Sequence, residues 1–160
     1  MPVIPAKTEE IWREIVTILK NAQTTGQRLQ YVKEILEGVR EDVPLFPCVI
    51  LEPVSESEAE YSVPMYKRII LQITITCWIE AYNIDTQITG EVAPGGRYDD
   101  NRGIFDIVAD VKNELNTYPD LNGKAIKFNF SNTRYYFETY PYRAGEITMN
   151  IEFITQKDTR

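Results

Sequence analysis

The chain has 160 residues, of which 43% are hydrophobic, and carries 24 acids, 17 bases and no histidine, a net charge of −7. That length supplies one domain with a real core; the charge argues against a phosphate-tracking nucleic-acid binder, and the missing imidazole removes the usual hydrolytic dyads and metal ligands. The chain also has no stretch of eighteen apolar residues, and its first ten, "MPVIPAKTEE", lack a basic region followed by an apolar one, so neither a membrane-spanning helix nor a signal peptide is expected and the protein is read as cytosolic where it is made.

Residues 8 to 21, "TEEIWREIVTILKN", open with Thr8 as an expected cap and Glu9 and Glu10 in the first turn, where carboxylates meet the positive helix end. Ile11, Ile15, Ile18 and Leu19 fall on one stripe, so the segment predicts an amphipathic helix. "TTG" at 24 to 26 breaks it. In residues 27 to 40, Leu29, Val32, Leu36 and Val39 keep helical spacing, whereas a strand would set Leu29, Tyr31, Ile35 and Val39 against an intruding Lys33 and Glu37. Both readings stay open, with helix slightly favoured.

"LFPCVILEP", 45 to 53, is a short apolar run fenced by Pro44, Pro47 and Pro53, and reads as a strand near an edge. The stretch "VSESEAEYSVPMY" that follows alternates Glu56, Glu58 and Glu60 with small residues and shows no apolar face, so it is expected to be a solvated acidic loop or hairpin tip. Next comes "KRIILQITITCWIEAY", 67 to 82. Ile69, Leu71, Ile73, Ile75, Cys77, Ile79 and Ala81 line one side of the pleat and Gln72, Thr74, Thr76 and Glu80 the other, which predicts a half-buried strand of about 50 Å, far longer than usual. Such a ribbon needs a partner.

Residues 83 to 101, "NIDTQITGEVAPGGRYDDN", have turn residues and little periodicity, an uncommonly long loop for a compact domain. Beyond them Ile104, Phe105, Ile107, Val108, Val111 and Leu115 share a helix side, with Asp99, Asp100 or Asn101 as cap and Pro119 as stop. Three strands are then expected: "GKAIKFNFSN" with Ile126, Phe128 and Phe130 on one face, the aromatic "TRYYFETY", and "GEITMNIEFIT" with Ile147, Met149, Ile151 and Phe153 on one face. The order implies an α+β fold: a single domain over 1 to 160 with a mostly antiparallel twisted sheet and helices packed on one face.

Candidate chemistry is sparse. "APGGRYDDNRG", 93 to 103, places glycines before a helix but lacks the Gly-Lys-Ser/Thr ending of a phosphate loop. Asp99, Asn101 and Asp110 suggest a calcium loop, yet Ile104 stands where that loop needs glycine. Glu56 and Glu58 have no apolar pocket that would raise a carboxylate pKa. Cys48 and Cys77 each sit in an apolar strand-like run, where a thiol acts as a small buried hydrophobe. The cluster Tyr135, Tyr136, Phe137, Tyr140 and Tyr142, with only Arg134 and Arg143 near it, reads as sheet packing or a protein interface ahead of a base-stacking platform. "NFS" at 129 to 131 matches a glycosylation acceptor, but falls in an expected strand of a chain without a secretion signal. No enzyme, cofactor or metal is expected.

Taken in order, the first helix, "LFPCVILEP", "KRIILQITITCWI", "IFDIVADVKNEL", "LNGKAIKFNF" and "YRAGEITMNIEF" resemble the tail terminator (tail completion, minor tail protein) family of tailed bacteriophages across most of the chain. The resemblance implies a structural virion protein, assembled in the host cytoplasm, whose protomers join into a ring of six on the head-proximal end of the tail tube. Such a ring ends tube polymerisation, meets the head connector protein and leaves a channel through which DNA passes without specific binding; no membrane is involved. Under it, Glu56, Glu58 and Glu60 are candidate channel-facing acids, and the 83 to 101 segment, longer than the family leads one to expect, is a candidate interface arm with Asp85, Glu91, Arg97 and Tyr98. No functional residue carries over by motif. Two alternatives stand beside it: another neck or head-tail joining protein, and a small-molecule-binding α+β domain with Tyr135, Tyr140 or Trp78 as pocket walls.

Overall fold

In a computed structural model of the chain, the alternation along residues 66 to 80 forms a strand that is paired from end to end. The structure describes residues 6–59, 63–81, 87–89, 92–93, 97–98 and 102–156. The long strand, β3 (Tyr66–Glu80), runs antiparallel to β7 (Tyr142–Gln156), every residue of one matched to one of the other from Tyr66↔Gln156 to Glu80↔Tyr142. Because directly opposed residues share a face, Ile69 meets Phe153, Leu71 meets Ile151, Ile73 meets Met149 and Ile75 meets Ile147, all buried. This double row is the floor of the core, and it is where the sequence places it.

Around that pair the sheet is completed in the order β1-β2-β3-β7-β6, with β1 (Glu34–Glu37) parallel to β2 (Cys48–Ala59) and the other pairings antiparallel. A second sheet of two antiparallel strands, β4 (Val92–Ala93) and β5 (Arg97–Tyr98), falls within the 83 to 101 stretch of sequence. Two helices, α1 (Lys7–Asn21) and α2 (Ile104–Asn116), cover one sheet face and touch each other. Ile11, Ile15, Ile18 and Leu19 of α1 and Ile104, Ile107, Val108, Val111 and Leu115 of α2 are buried against the sheet rows. The protein is a single α+β domain with a mixed five-stranded sheet.

Several local expectations are corrected. Residues 27 to 40 form turns and then β1 in place of a helix. The buried set is Leu29, Tyr31, Val32 and Ile35, while Val39 of the helical stripe is 75% exposed. Pairing decides this: the Lys33 amide donates to the Pro47 carbonyl and the Gly38 amide to that of Leu51, and Gly38 turns the chain away at φ 86°, a conformation glycine adopts freely. The expected acidic loop after Pro53 is also strand, because Ser55 to Ala59 pair with Gln72 to Arg68. A bulge at Pro53/Ser55 switches the facing of β2, so Glu56 and Glu58 lie opposite Leu71 and Ile69 on the helix side. The two aromatic strands expected after Gly123 are one, β6 (Lys127–Tyr136), whose bulge at Phe130/Asn132 hides its continuity.

Neither helix is capped as expected. Thr8 lies inside α1, whose cap is Ala6 without a side-chain hydrogen bond. For α2 the cap is Gly103, whose amide donates to Asp106 at 2.9 Å, while the Ile104 and Phe105 amides donate to the carbonyls of Gln87 and Ile88. Asp99, Asp100 and Asn101 lie outside the described residues. Phe105 is 51% exposed and stacks edge-on with Tyr135, ring centroids 5.3 Å apart.

Candidate functional site

The face of the sheet opposite the helices carries a concave site. Gly38 lets the chain leave β1 and pass over the sheet as the 38 to 47 loop; on the far side, residues 136 to 142 turn from β6 into β7. Between these walls lies a groove of about 630 Å³. Its floor is Ile50 and Glu52 of β2, Thr76 and Trp78 of β3 and Glu146 of β7, side chains that alternation sends away from the core. Phe46, Tyr136 and Tyr142 complete an aromatic lining, the rings of Phe46 and Tyr142 standing 5.0 Å apart.

The charge on this groove is lopsided. Glu41, Asp42, Glu52, Glu138 and Glu146 line it against a single base, Arg40. That arginine is already committed, to Glu34 at 2.7 Å and Asp42 at 3.0 Å. Among the described residues no lysine or arginine ion-pairs with Glu41, Glu52, Glu138 or Glu146. Strand periodicity hides the groove in the sequence, since its floor uses every second residue and its wall comes from a loop with no pattern. The tryptophan on the polar side of β3 was its visible signal.

The expected aromatic cluster is divided by the same periodicity. Tyr136 and Tyr142 line the groove; Tyr135 faces α2, opposite Gly145, where burial pushes its phenol up. Arg143, only 7% exposed, sits under Phe137 and Tyr140, 5.4 Å from each ring centroid, donates from Nε to Gln87 Oε1 at 2.7 Å and from Nη1 to the Tyr142 carbonyl at 2.9 Å. Of the three expected pocket walls, Trp78 alone lies in the groove.

The candidate acids on β2 are exposed but engaged. Thr8 donates a hydrogen bond to Glu56, tying it to the start of α1, where a carboxylate is favoured by the helix dipole. Glu58 pairs with Lys67 at 3.1 Å. Glu60, Asp85 and Glu91 lie outside the described residues; Arg97 and Tyr98 belong to β5. On the helix side, the Tyr31 hydroxyl donates to Asp110 at 2.6 Å and Arg102 lies over the Tyr31 ring at 5.1 Å. Burial holds the Asp110 carboxyl above its ordinary value, against the lowering pull of that hydrogen bond and of Arg102. This cluster locks the 28 to 32 turn onto α2.

Both cysteines are free and buried. Burial pushes the Cys48 thiol up to about 12 and raises that of Cys77 further. Among the described residues no three metal-ligating side chains gather, and no helix is long and apolar enough to cross a membrane.

No protein-family model matches the chain, and no curated protein matches it. Among solved structures it is weakly similar to a chain from "Virion of native gene transfer agent (GTA) particle", with a TM-score of 0.40, 8% identity, and coverage of 91% of this chain and 92% of that one.

Proposed function

We propose that the chain is a structural protein of a phage-type virion, whose copies join into a ring of six on the head-proximal end of the tail tube, end its growth and present a face to the head connector. One observation carries the reading: the long sheet has two unlike open edges on opposite sides. On one side β1 pairs β2 only through Leu51, so among the described residues Glu52 to Ala59 have no outer strand neighbour. On the other, β6 is the last strand among the described residues, and its ten residues have no outer strand neighbour there. Open edges are templates for another strand, and a contact between two different edges is heterologous, the kind that closes into rings.

The edges also differ in charge. β6 carries Lys127 and Arg134, whereas β2 beyond Leu51 carries Glu52, Glu56 and Glu58. Opposite signs favour the unlike pairing over pairing of either edge with itself. In this reading the chain does no chemistry and holds no cofactor, and the net charge of −7 lets DNA slide past without adhering. The order of elements that resembles tail terminators supports the same conclusion. The test is tube assembly in vitro: tail tube protein polymerised with this protein should give short tubes decorated at one end in electron micrographs. Tubes of unchanged length with bare ends would reject the role.

A further inference from the structure

We infer that the groove on the open sheet face docks an extended segment of a partner protein bearing at least two arginine or lysine side chains. This goes beyond the ring: the groove uses the face of the sheet and the ring its edges, with Glu52 alone common to both. Charge points to a cationic occupant. Among the described residues Glu41, Glu52 and Glu138 make no ion pair, Glu146 has only Arg134 opposite it across the β6–β7 ladder, and Asp42 shares Arg40 with Glu34, so the acids at the groove outnumber the bases. An excess of like charge favours a cationic occupant.

Spacing points to more than one cation. Glu52 lies on β2 and Glu146 on β7, with β3 between them, and their β3 partners Thr74 and Thr76 are two residues apart. Two strand spacings across and two residues along place these carboxylates roughly 12 Å apart. One guanidinium cannot meet both. Alternate side chains of an extended segment stand about 7 Å apart, and the long stems of arginine and lysine cover the rest. Past Thr76 along the strands the groove lining turns aromatic, with Phe46, Trp78, Tyr136 and Tyr142, which suits those stems and attracts a cation over a ring face, as Arg134 already lies over Tyr136 at 5.5 Å.

The test uses the intact protein and a short fluorescein-labelled peptide of alternating arginine and glycine, followed by anisotropy at physiological ionic strength, where diffuse attraction is screened beyond about 8 Å. Binding should be saturable, and Glu52→Gln with Glu146→Gln should weaken it about tenfold or more. Trp78→Ala should weaken it as well. Removing the same charge from α1, by Glu10→Gln with Glu14→Gln, should leave it unchanged. If the groove pair lowers the thermal midpoint, Glu138→Gln on the exposed 136 to 142 turn reads the same effect without touching a strand. Equal loss in the α1 control, tight binding of arginine amide alone, or groove variants that abolish self-association and leave the peptide bound would each overturn the inference.

Discussion

Gly145 lies directly beneath Val108: a Cβ placed on that glycine would stand 2.5 Å from Val108 Cγ2 and 3.4 Å from the Tyr135 ring. The missing side chain is what lets α2 approach the β7 row at that level. Gly145→Ala should therefore destabilise the fold by about 1–3 kcal/mol through overpacking. Adding Val108→Ala should restore part of the loss, because the two sites are in contact and couple. Thermal or urea unfolding of both proteins checks this; an additive pair would mean that Val108 is not the obstacle.

Asp110 gives the protein a pH signature. Its carboxyl is raised in the folded state by burial, so folded chains hold this proton to a higher pH than unfolded ones. The stability it contributes is therefore full below the ordinary carboxylate value and is lost as pH rises through the raised one. Asp110→Asn keeps an acceptor for the Tyr31 hydroxyl but cannot ionise. Its stability relative to the unsubstituted protein should rise as pH goes from about 3 to 7. A difference that stays constant over that range would show that burial does not govern this carboxyl.

The two thiols should be inert while the protein is folded. Cys48 and Cys77 are fully buried, and burial disfavours the thiolate that reacts. A thiol reagent at neutral pH should label neither in the native protein and both in denaturant. Labelling of either at the native rate of an exposed cysteine would place it outside the core.

Arg143 holds the root of the long 83 to 101 segment through Gln87, and Gln87 and Ile88 in turn accept the first amides of α2. Arg143→Lys keeps the charge and loses the planar fork. It should cost about 1–3 kcal/mol and speed hydrogen exchange at the Ile104 and Phe105 amides ahead of Ile73 and Met149. Deleting 84 to 98 would strip α2 of these carbonyls, whereas a cut confined to 90 to 98 should leave the fold intact. Uniform exchange across both sets of amides would contradict a local clamp.

Periodicity revealed what local pattern can encode. The stripes of α1 and α2 and the alternating rows of β3 and β7 were legible because each element buries one face continuously. The remainder depended on distant partners. Leu29, Val32, Leu36 and Val39 have helical spacing, but Leu51 and Pro47 draw that segment into a parallel strand. Bulges at Pro53/Ser55 and Phe130/Asn132 switch facing in mid-strand, which broke β6 into two apparent strands and made the end of β2 look like a loop. The groove was the least legible feature. Trp78 on the polar side of β3 hinted at it, but Phe46 and the acids of the 38 to 47 loop reach it only through the fold.

The ring is tested most directly by native mass spectrometry of the protein over a range of concentrations, alone and mixed with assembled tail tubes. Six copies in one particle are expected, or a monomer that becomes six copies at each tube end. A monomer at every concentration that leaves tubes untouched would contradict the ring.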